Sequence, residues 1–517
     1  MIADRNRIFD GWVSLEGGVD AGRAPFKIDI NQAVSAENMI FRGGVAGTRP
    51  GFRILNEAFT NPTSACYNAP QLDGHLAGEY AGDQPLGKPY LDYASDIYRS
   101  GIMQCACAYS PHSVSGDCIM ALIGGRLFKV VPGVTTAKVT EISPIINPTY
   151  SHNLRNRKDL TIAYMVQADK YLFAQDGDSG CIIYDAASAR RANTATTPDK
   201  TEVPTGTIMA YGMGRLCVVV NLRDIAFGDL YGSHALPDAA DSIPFFTERN
   251  FINEGFDAAI PFQQGIVTGL AFFPQLDTST GNGQLLAFAQ RGAASFFLSL
   301  DRTLWKTSQF QIFALLTTGL RGNRSISVVN EDLWFRADDG VRSYRQARSE
   351  PQGWAHIPVS SNVEQFLDND TAWMLQYASS VYFDNRILMT VSPVPNQGRP
   401  VHGGMVSVDF NVLSSFGVTN KPAWDGHWTF PQGIQISQIV NGIFNGVQRA
   451  FAFGVDASGN NQLYEISMDD KDDWGDQKIN WELVSRSFDF QKLSQQSSPF
   501  TEVELYDADV WLEDIIE

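Results

Sequence analysis

Nowhere in this 517-residue sequence do apolar residues run to the length of about 18 that a membrane-spanning helix needs. The opening residues, MIADRNRIFDGW, also lack the apolar core of a secretory leader, so the expectation is a soluble, unexported chain with no membrane span. Long helical periodicity is nearly absent, which leaves strands to supply the fold. The six cysteines (Cys66, Cys105, Cys107, Cys118, Cys181 and Cys217) lack the regular spacing of a disulfide scaffold, so reduced, mostly buried thiols are expected. Positive charge is in deficit: 39 Lys and Arg against 57 Asp and Glu leave a formal net charge of -18. That balance argues against a surface built to hold nucleic acid, because such affinity comes from clustered cations that neutralise phosphates. What is present is ample apolar material, 44% of residues with 32 phenylalanines, enough for a sizeable core. The length suits two or three ordinary domains, or one large closed all-β architecture with insertions.

Period-2 alternation and β-branched or aromatic runs dominate, punctuated by Gly, Asp and Asn as in hairpins. Strand-turn-strand units are read at 37–52 (ENMIFRGGVAGTRPGF), 118–131, 171–184, 208–220, 284–298, 332–344, 380–391 and 451–466. Three share a loose pattern of an aromatic strand, an Asp and Gly turn, and a returning Tyr: Phe173 with Asp176, Gly177 and Tyr184; Phe335 with Asp339, Gly340 and Tyr344; Phe453 with Asp456, Gly459 and Tyr464. Degenerate repeats of this kind point to the blades of an irregular all-β propeller with long insertions. The expected organisation is an N-terminal arm at 1–20, a propeller core at 21–466 with insertions at 56–100 and 223–264, and a small C-terminal β segment at 479–517. In that last segment 479–491 and 501–516 alternate apolar with polar residues, as strands of a small sheet would.

Candidate chemistry is sparse. Gly43, Gly44, Gly47 and Thr48 resemble a phosphate loop in composition only, since no Lys precedes the hydroxyl residue and no helix follows; a glycine hairpin turn is the reading. Gly177-Asp178-Ser179-Gly180 matches the tetrapeptide around a serine-protease nucleophile, but Cys181 replaces the following Gly and His152 lies in the wrong context, so a turn is expected. Cys105, Cys107 and Cys118, with Cys66, His75 and His112, have poor spacing for zinc. Asp469, Asp470, Asp472, Asp473 and Asp476 cluster without making a calcium loop, because Trp474 and Trp481 fall where oxygen ligands belong; a solvated acidic loop is expected. Asp176 with Asp178, and Asp368 with Asp370, are weaker acidic pairs of the same kind. The basic groups Arg155, Arg157 and Lys158, then Arg190 and Arg191, then Arg336, Arg342, Arg345 and Arg348, read as solvated faces or inter-subunit pairs rather than a DNA grip. A propeller glycosidase is disfavoured because the Asp-box turn Ser-x-Asp-x-Gly-x-x-Trp is missing. No catalytic, cofactor-binding or metal residue is assigned, and no cofactor is expected.

Taken together, SLEGGVDAGRAPFKIDINQAVSAENMIFRGGVAGTRPGF, with Asn38, Gly44, Arg49, Pro50, Gly51 and Phe52, resembles the opening phrase of the short-tailed-phage tail nozzle (tail tubular protein B) and packaged-DNA stabilisation families. VVNEDLWFRADDGVRSYRQA, YFDNRILMTVSP, WDGHW and SRSFDF are similar to later phrases of those chains. The resemblance implies a non-enzymatic virion structural protein of the phage tail. It further implies a propeller core, a hexameric ring around a DNA ejection channel, contacts to an adaptor ring and tail fibres, and passage of genomic DNA without specific binding. The alternatives from other classes are a receptor- or glycan-binding propeller at a tail tip, or the propeller glycosidase.

Overall fold

The computed structural model describes residues 14–60, 90–111, 116–142, 154–192, 202–230, 256–273, 282–299, 305, 311–315, 319–329, 332–344, 358–411, 423–431, 433–470, 472–473 and 477–487. The chain is an all-β, irregular propeller. Five small sheets follow one another along it, with five, four, four, four and three strands. They begin with Met103–Tyr109, Tyr164–Ala168, Met209–Gly212, Val267–Phe272 and Ser327–Val329. A ten-stranded sheet completes the circle. It contains two further meanders, one from Ser380–Phe383 to Ala423–Thr429 and one from Gln435–Phe444 to Asn461–Ser467, joined by a single pairing of His402 with Ile436. The first strands of successive units lie side by side from the first to the fourth and from the fifth to the last. Val267–Phe272 of the fourth meets the turn Asn323–Ser325 that opens the fifth, and the first strand of the last unit returns to Met103–Tyr109.

The physical reason for the ring is in the strands themselves. Cys118–Ile123 and Tyr171–Gln175 are buried at every position, so each face of these meanders needs an apolar neighbour. The cores accordingly lie between units. Leu122 and Leu127 meet Leu172 and Ile182 between the first and second sheets. Phe173 and Ile183 meet Leu216 and Val218 between the second and third. Leu286 and Phe288 meet Leu333 and Phe335 between the fourth and fifth. Phe128 and Val130 meet Phe451 and Phe453 where the last unit returns to the first.

All eight expected hairpins are antiparallel pairs. The repeated aromatic, Phe173, Phe335 or Phe453, sits on the second strand of its unit at no more than 1% exposure, and the turn after it leads to the third strand. Where the turn is not glycine, Asp384 and Asn385 take its positive φ values of 52° and 57°, which short polar side chains tolerate.

The N-terminal residues form five short strands: β1 Ala33–Glu37, β2 Met39–Arg42, β3 Val45–Thr48, β4 Gly51–Ile54 and β5 Asn56–Phe59. The glycine hairpin, counted in the sequence among the strand-turn-strand units that point to blades, does not itself build one. β2 and β3 pair only with each other, around Gly43 and Gly44 at φ 66° and 79°. The blade strands are the two that follow. β4 is the outer strand of the last meander, antiparallel to Asn461–Ser467. β5 is the outer strand of the first sheet, parallel to Thr136–Glu141.

In the 1–20 arm, residues 1–13 lie outside the described residues, while Leu15 and Val19 are buried with Trp424. The 56–100 stretch opens with β5 and ends in helix α1, Tyr90–Ser100; residues 61–89 lie outside the described residues. Of the 223–264 stretch, Asp224–Phe227 and Phe256–Ala259 are strands of the third sheet, and 231–255 lies outside the described residues. In the C-terminal segment, Glu482–Ser485 pairs antiparallel with β1, and 488–517 lies outside the described residues. Among the described residues no helix is long and apolar enough to cross a membrane.

Candidate functional site

A dense polar construction lies where the N-terminal strands meet the last two meanders. Asn38, between β1 and β2, has φ 56° and uses its whole side chain. Its Nδ2 donates to Thr429 Oγ1 and to the Asn480 carbonyl, both at 2.7 Å, and its Oδ1 accepts from Thr429 N and Arg49 Nε, both at 2.8 Å. Arg49, 1% exposed, completes a fork: Nη1 and Nη2 donate to the two oxygens of Asp473 at 2.8 and 2.7 Å, and its guanidinium stands 5.0 Å from the Phe52 ring centre. Asp473 Oδ1 also accepts from Phe52 N at 3.1 Å. Gly51 is glycine because a Cβ there would stand 2.1 Å from the Asp472 carbonyl oxygen. Phe52 packs with Trp428 and Phe430. Each residue of the RPGF phrase therefore has a structural partner, and Arg49 grips Asp473 rather than a ligand.

A second network ties the β2–β3 hairpin to the unit beneath it. Buried Arg386 reaches Asp384 at 2.6 Å, Asp409 at 2.7 Å and Asp425 at 3.0 Å, and Arg42 of β2 shares Asp384 at 2.8 Å. Phe41 N donates to Asp425 Oδ1 at 3.0 Å and Ser407 Oγ to Asp425 Oδ2 at 2.6 Å. Burial raises the Asp425 carboxyl and Arg386 draws it back. The phrases FDNR and WDGHW thus meet in space through Asp384, Arg386 and Asp425.

Across the seam between the last unit and the first, side chains satisfy backbone groups directly. Gln438 exchanges two 2.9 Å hydrogen bonds with the backbone of Ala106. Asn461 donates to the Tyr98 and Gly101 carbonyls at 2.6 and 2.7 Å. Arg449 reaches the Gly133 carbonyl at 2.8 Å while holding Glu465 at 2.5 Å, and Arg53 of β4 takes the same carboxylate at 2.6 Å. Glu57 of β5 accepts from Leu463 N at 3.2 Å, and burial pushes its carboxyl up to about 7 against that hydrogen bond.

Near the axis, Arg324 bridges the turn before the fifth sheet to the carbonyls of Gln104 and Ala163, which belong to the first and second units. Thr161 and Tyr377 join hydroxyls at 2.8 Å across the same region. Side chains thus link the turn before the fifth sheet and the segment ahead of the sixth unit to the first and second units. His402 is fully buried, donates through Nδ1 to the Ile436 carbonyl 3.2 Å away, and is pushed down to about 4 by burial.

The remaining candidates resolve individually. Gly177-Asp178-Ser179-Gly180 is a turn capped by Asp176, whose Oδ1 accepts from Asp178 N and Ser179 N at 3.0 and 2.7 Å. Burial opposes ionisation of Asp176, but these hydrogen bonds outweigh it and hold the carboxyl below its usual range. Cys105, Cys118, Cys181 and Cys217 are buried, and burial pushes Cys107, Cys118 and Cys181 up to about 12, so the thiols stay protonated. Cys66, His75, His112 and His152 lie outside the described residues. Asp473 corrects the reading of a solvated acidic loop: it is turned inward onto Arg49, while Asp476 and Trp474 lie outside the described residues. Asp370 is bound to buried Arg336 at 2.7 Å. Arg190 pairs with Glu202, Arg157 with Asp159 and Asp178, and Arg342 with Asp339, all within the chain; Arg345 and Arg348 lie outside the described residues. Among the described residues no group of three His, Cys, Asp or Glu is gathered that could hold a metal. Sequence reasoning missed Gln438 and Glu465, whose partners Ala106 and Arg53 lie 332 and 412 residues away and leave no local signal.

No family model matches the chain, and no curated protein matches it. Among solved structures, it is similar to BBS1N in complex with ARL6DN at 10% identity and TM-score 0.40, over 72% of this chain and 94% of that one. It is also similar to BamB from Moraxella catarrhalis at 10% identity and TM-score 0.34, over 69% and 81%, and to YCF48 bound to D1 peptide at 9% identity and TM-score 0.38, over 72% and 94%.

Proposed function

We propose that this chain is a non-enzymatic structural protein of a phage-type tail: a propeller scaffold that assembles, as a hexameric ring, around the path of ejected DNA and docks an adaptor ring and fibres. The observation that carries the proposal is the use made of the opening phrase. The residues that resemble the tail-nozzle phrase, Asn38, Arg49, Gly51 and Phe52, are those that pin the N-terminal strands to the last two meanders, so the phrase has a constructional purpose. The charge supports the same reading. A chain of net charge -18 offers DNA little to hold, because affinity for the backbone needs clustered cations. The bridge from Arg324 to the carbonyls of Gln104 and Ala163 favours a DNA path between subunits over one through a single propeller.

The test is localisation in particles. A reconstruction of the virion in which this chain forms a ring at the tail, with DNA density on the ring axis, is the expected result. A chain that is absent from particles and stays monomeric at every concentration overturns the proposal. In solution the purified protein is expected to leave duplex DNA unretarded in a gel at physiological salt; a saturable shift there contradicts the sliding surface.

A further inference from the structure

Arg324 carries its charge into the ring without a counter-charge. Its Nη2 donates to the Gln104 and Ala163 carbonyls, and among the described residues the guanidinium meets no carboxylate. Its Nε is buried and has no hydrogen-bond partner among them. His402 is 0% exposed; while Nδ1 donates to the Ile436 carbonyl, its Nε2 is likewise buried and without a partner. The seam brings the two side chains together. Ile436 stands two residues from Gln438, which bonds the backbone of Ala106, and Arg324 sits on the carbonyl of Gln104, two residues from Ala106. The cation is near enough to bear on the imidazole. A buried guanidinium N–H with no acceptor and a buried ring nitrogen with no partner are both costly, and one bound group that answers both removes that cost.

We propose that a small inorganic anion, of the size of chloride, binds between Arg324 and His402, and that His402 takes up a proton from solvent as it binds. Without the anion, burial and the Arg324 charge keep the imidazole neutral at pH 7. Its one proton then sits on Nδ1, held by the Ile436 carbonyl, and Nε2 presents a lone pair. A proton added at Nε2 makes that nitrogen a donor, so Arg324 Nε and His402 Nε2 both donate to the same negative charge. The anion in turn cancels the charge that burial opposes on the ring. The other titratable groups that face Arg324 are Cys105 and Tyr164, on the first strands of the first and second units. Burial raises both, so neither supplies a negative charge and the anion comes from solution. A small ion fits better than a phosphate ester, because His402 and Ile436 are both 0% exposed. The inference stands on these two side chains and does not rest on the proposed place in a tail.

Two measurements on the full chain test it. In the first, the melting temperature is followed as sodium chloride replaces sodium gluconate at constant ionic strength, at intervals from pH 7.5 to 5.5. Chloride is expected to raise the melting temperature. Its apparent affinity should rise as pH falls, by about tenfold per unit where one proton enters with each anion. Arg324→Gln should lose the chloride effect at every pH, and His402→Gln should lose the pH dependence of chloride affinity. In the second, crystals of the wild-type chain are soaked in sodium bromide, which needs no variant to fold. An anomalous peak within hydrogen-bond reach of Arg324 Nε and His402 Nε2 is expected. A melting temperature indifferent to chloride overturns the proposal, as does a chloride effect undiminished in Arg324→Gln. An ordered water joining the two nitrogens in place of bromide overturns it as well.

Discussion

Arg49 is one residue whose type, position and surroundings all follow from charge burial. A guanidinium at 1% exposure is tolerable only when its donors are met, and here Asp473, Asn38 and the Pro50 carbonyl meet them. Arg49→Ala leaves Asp473 buried without its partner and is expected to cost about 3–5 kcal/mol. The urea midpoint, followed by intrinsic tryptophan fluorescence, measures it. Arg49→Lys should also destabilise, since one ammonium cannot present a fork. Removing Arg49 and Asp473 together should cost less than the sum of the single losses, as expected for coupled partners. The need for a special backbone was legible in the phrase around Asn38 and Arg49. The partner was not, because Asp473 is 424 residues away in the chain and lay in a run that reads as a solvated acidic loop.

At the scale of elements, β5 shows how a segment inside an expected insertion becomes part of the frame. Its alternation is too short to stand out, and it becomes a strand because Thr136–Glu141 offers an edge to it. Glu57 on this strand gives the seam a pH dependence whose sign follows from its direction of shift. Its folded value, raised from 4.5 to about 7 by burial, means the folded chain binds the extra proton in that window. The contribution is therefore full below pH 4.5 and is lost as pH rises through 7. His402 works the other way: its folded value, lowered from 6.5 to about 4 by burial, makes its contribution full above pH 6.5 and lost as pH falls toward 4. In the wild-type chain the two partly cancel over pH 4.5–6.5. Glu57→Gln is expected to remove one arm, so that stability falls more steeply on acidification below pH 6.5 and less on raising pH to 7.5. Thermal melts at half-unit pH intervals show it.

For the whole molecule, closure is the decisive step. Each meander has two apolar faces, and only a ring gives every face a neighbour, so the last unit must find the first. Residues 51–59 fasten that joint from outside, with β4 on one side of the seam and β5 on the other. A chain lacking residues 1–60 is expected to lose both outer strands and the Arg49 and Arg42 networks. It should open at the seam, with rapid tryptic cleavage near Arg126 and Arg449 and an enlarged hydrodynamic radius by size-exclusion chromatography. A truncated chain as resistant and compact as the full one contradicts this account of closure.

The sequence by itself determined the class of fold. Period-2 runs with Gly, Asp and Asn turns allow little except hairpins, and the loose Phe, Asp-Gly, Tyr repeat marks the turn from second to third strand in three units. These are local matters, governed by backbone sterics and alternation within about ten residues. Only the tertiary structure decided how the hairpins close. The glycine hairpin proved to be a brace lying outside the blades, and Asp473, Glu465 and Gln438 became seam residues because the ring brings chain segments hundreds of residues apart within hydrogen-bond distance. Burial then sets the chemistry of those groups, and burial is a property of the assembled ring that no local stretch carries.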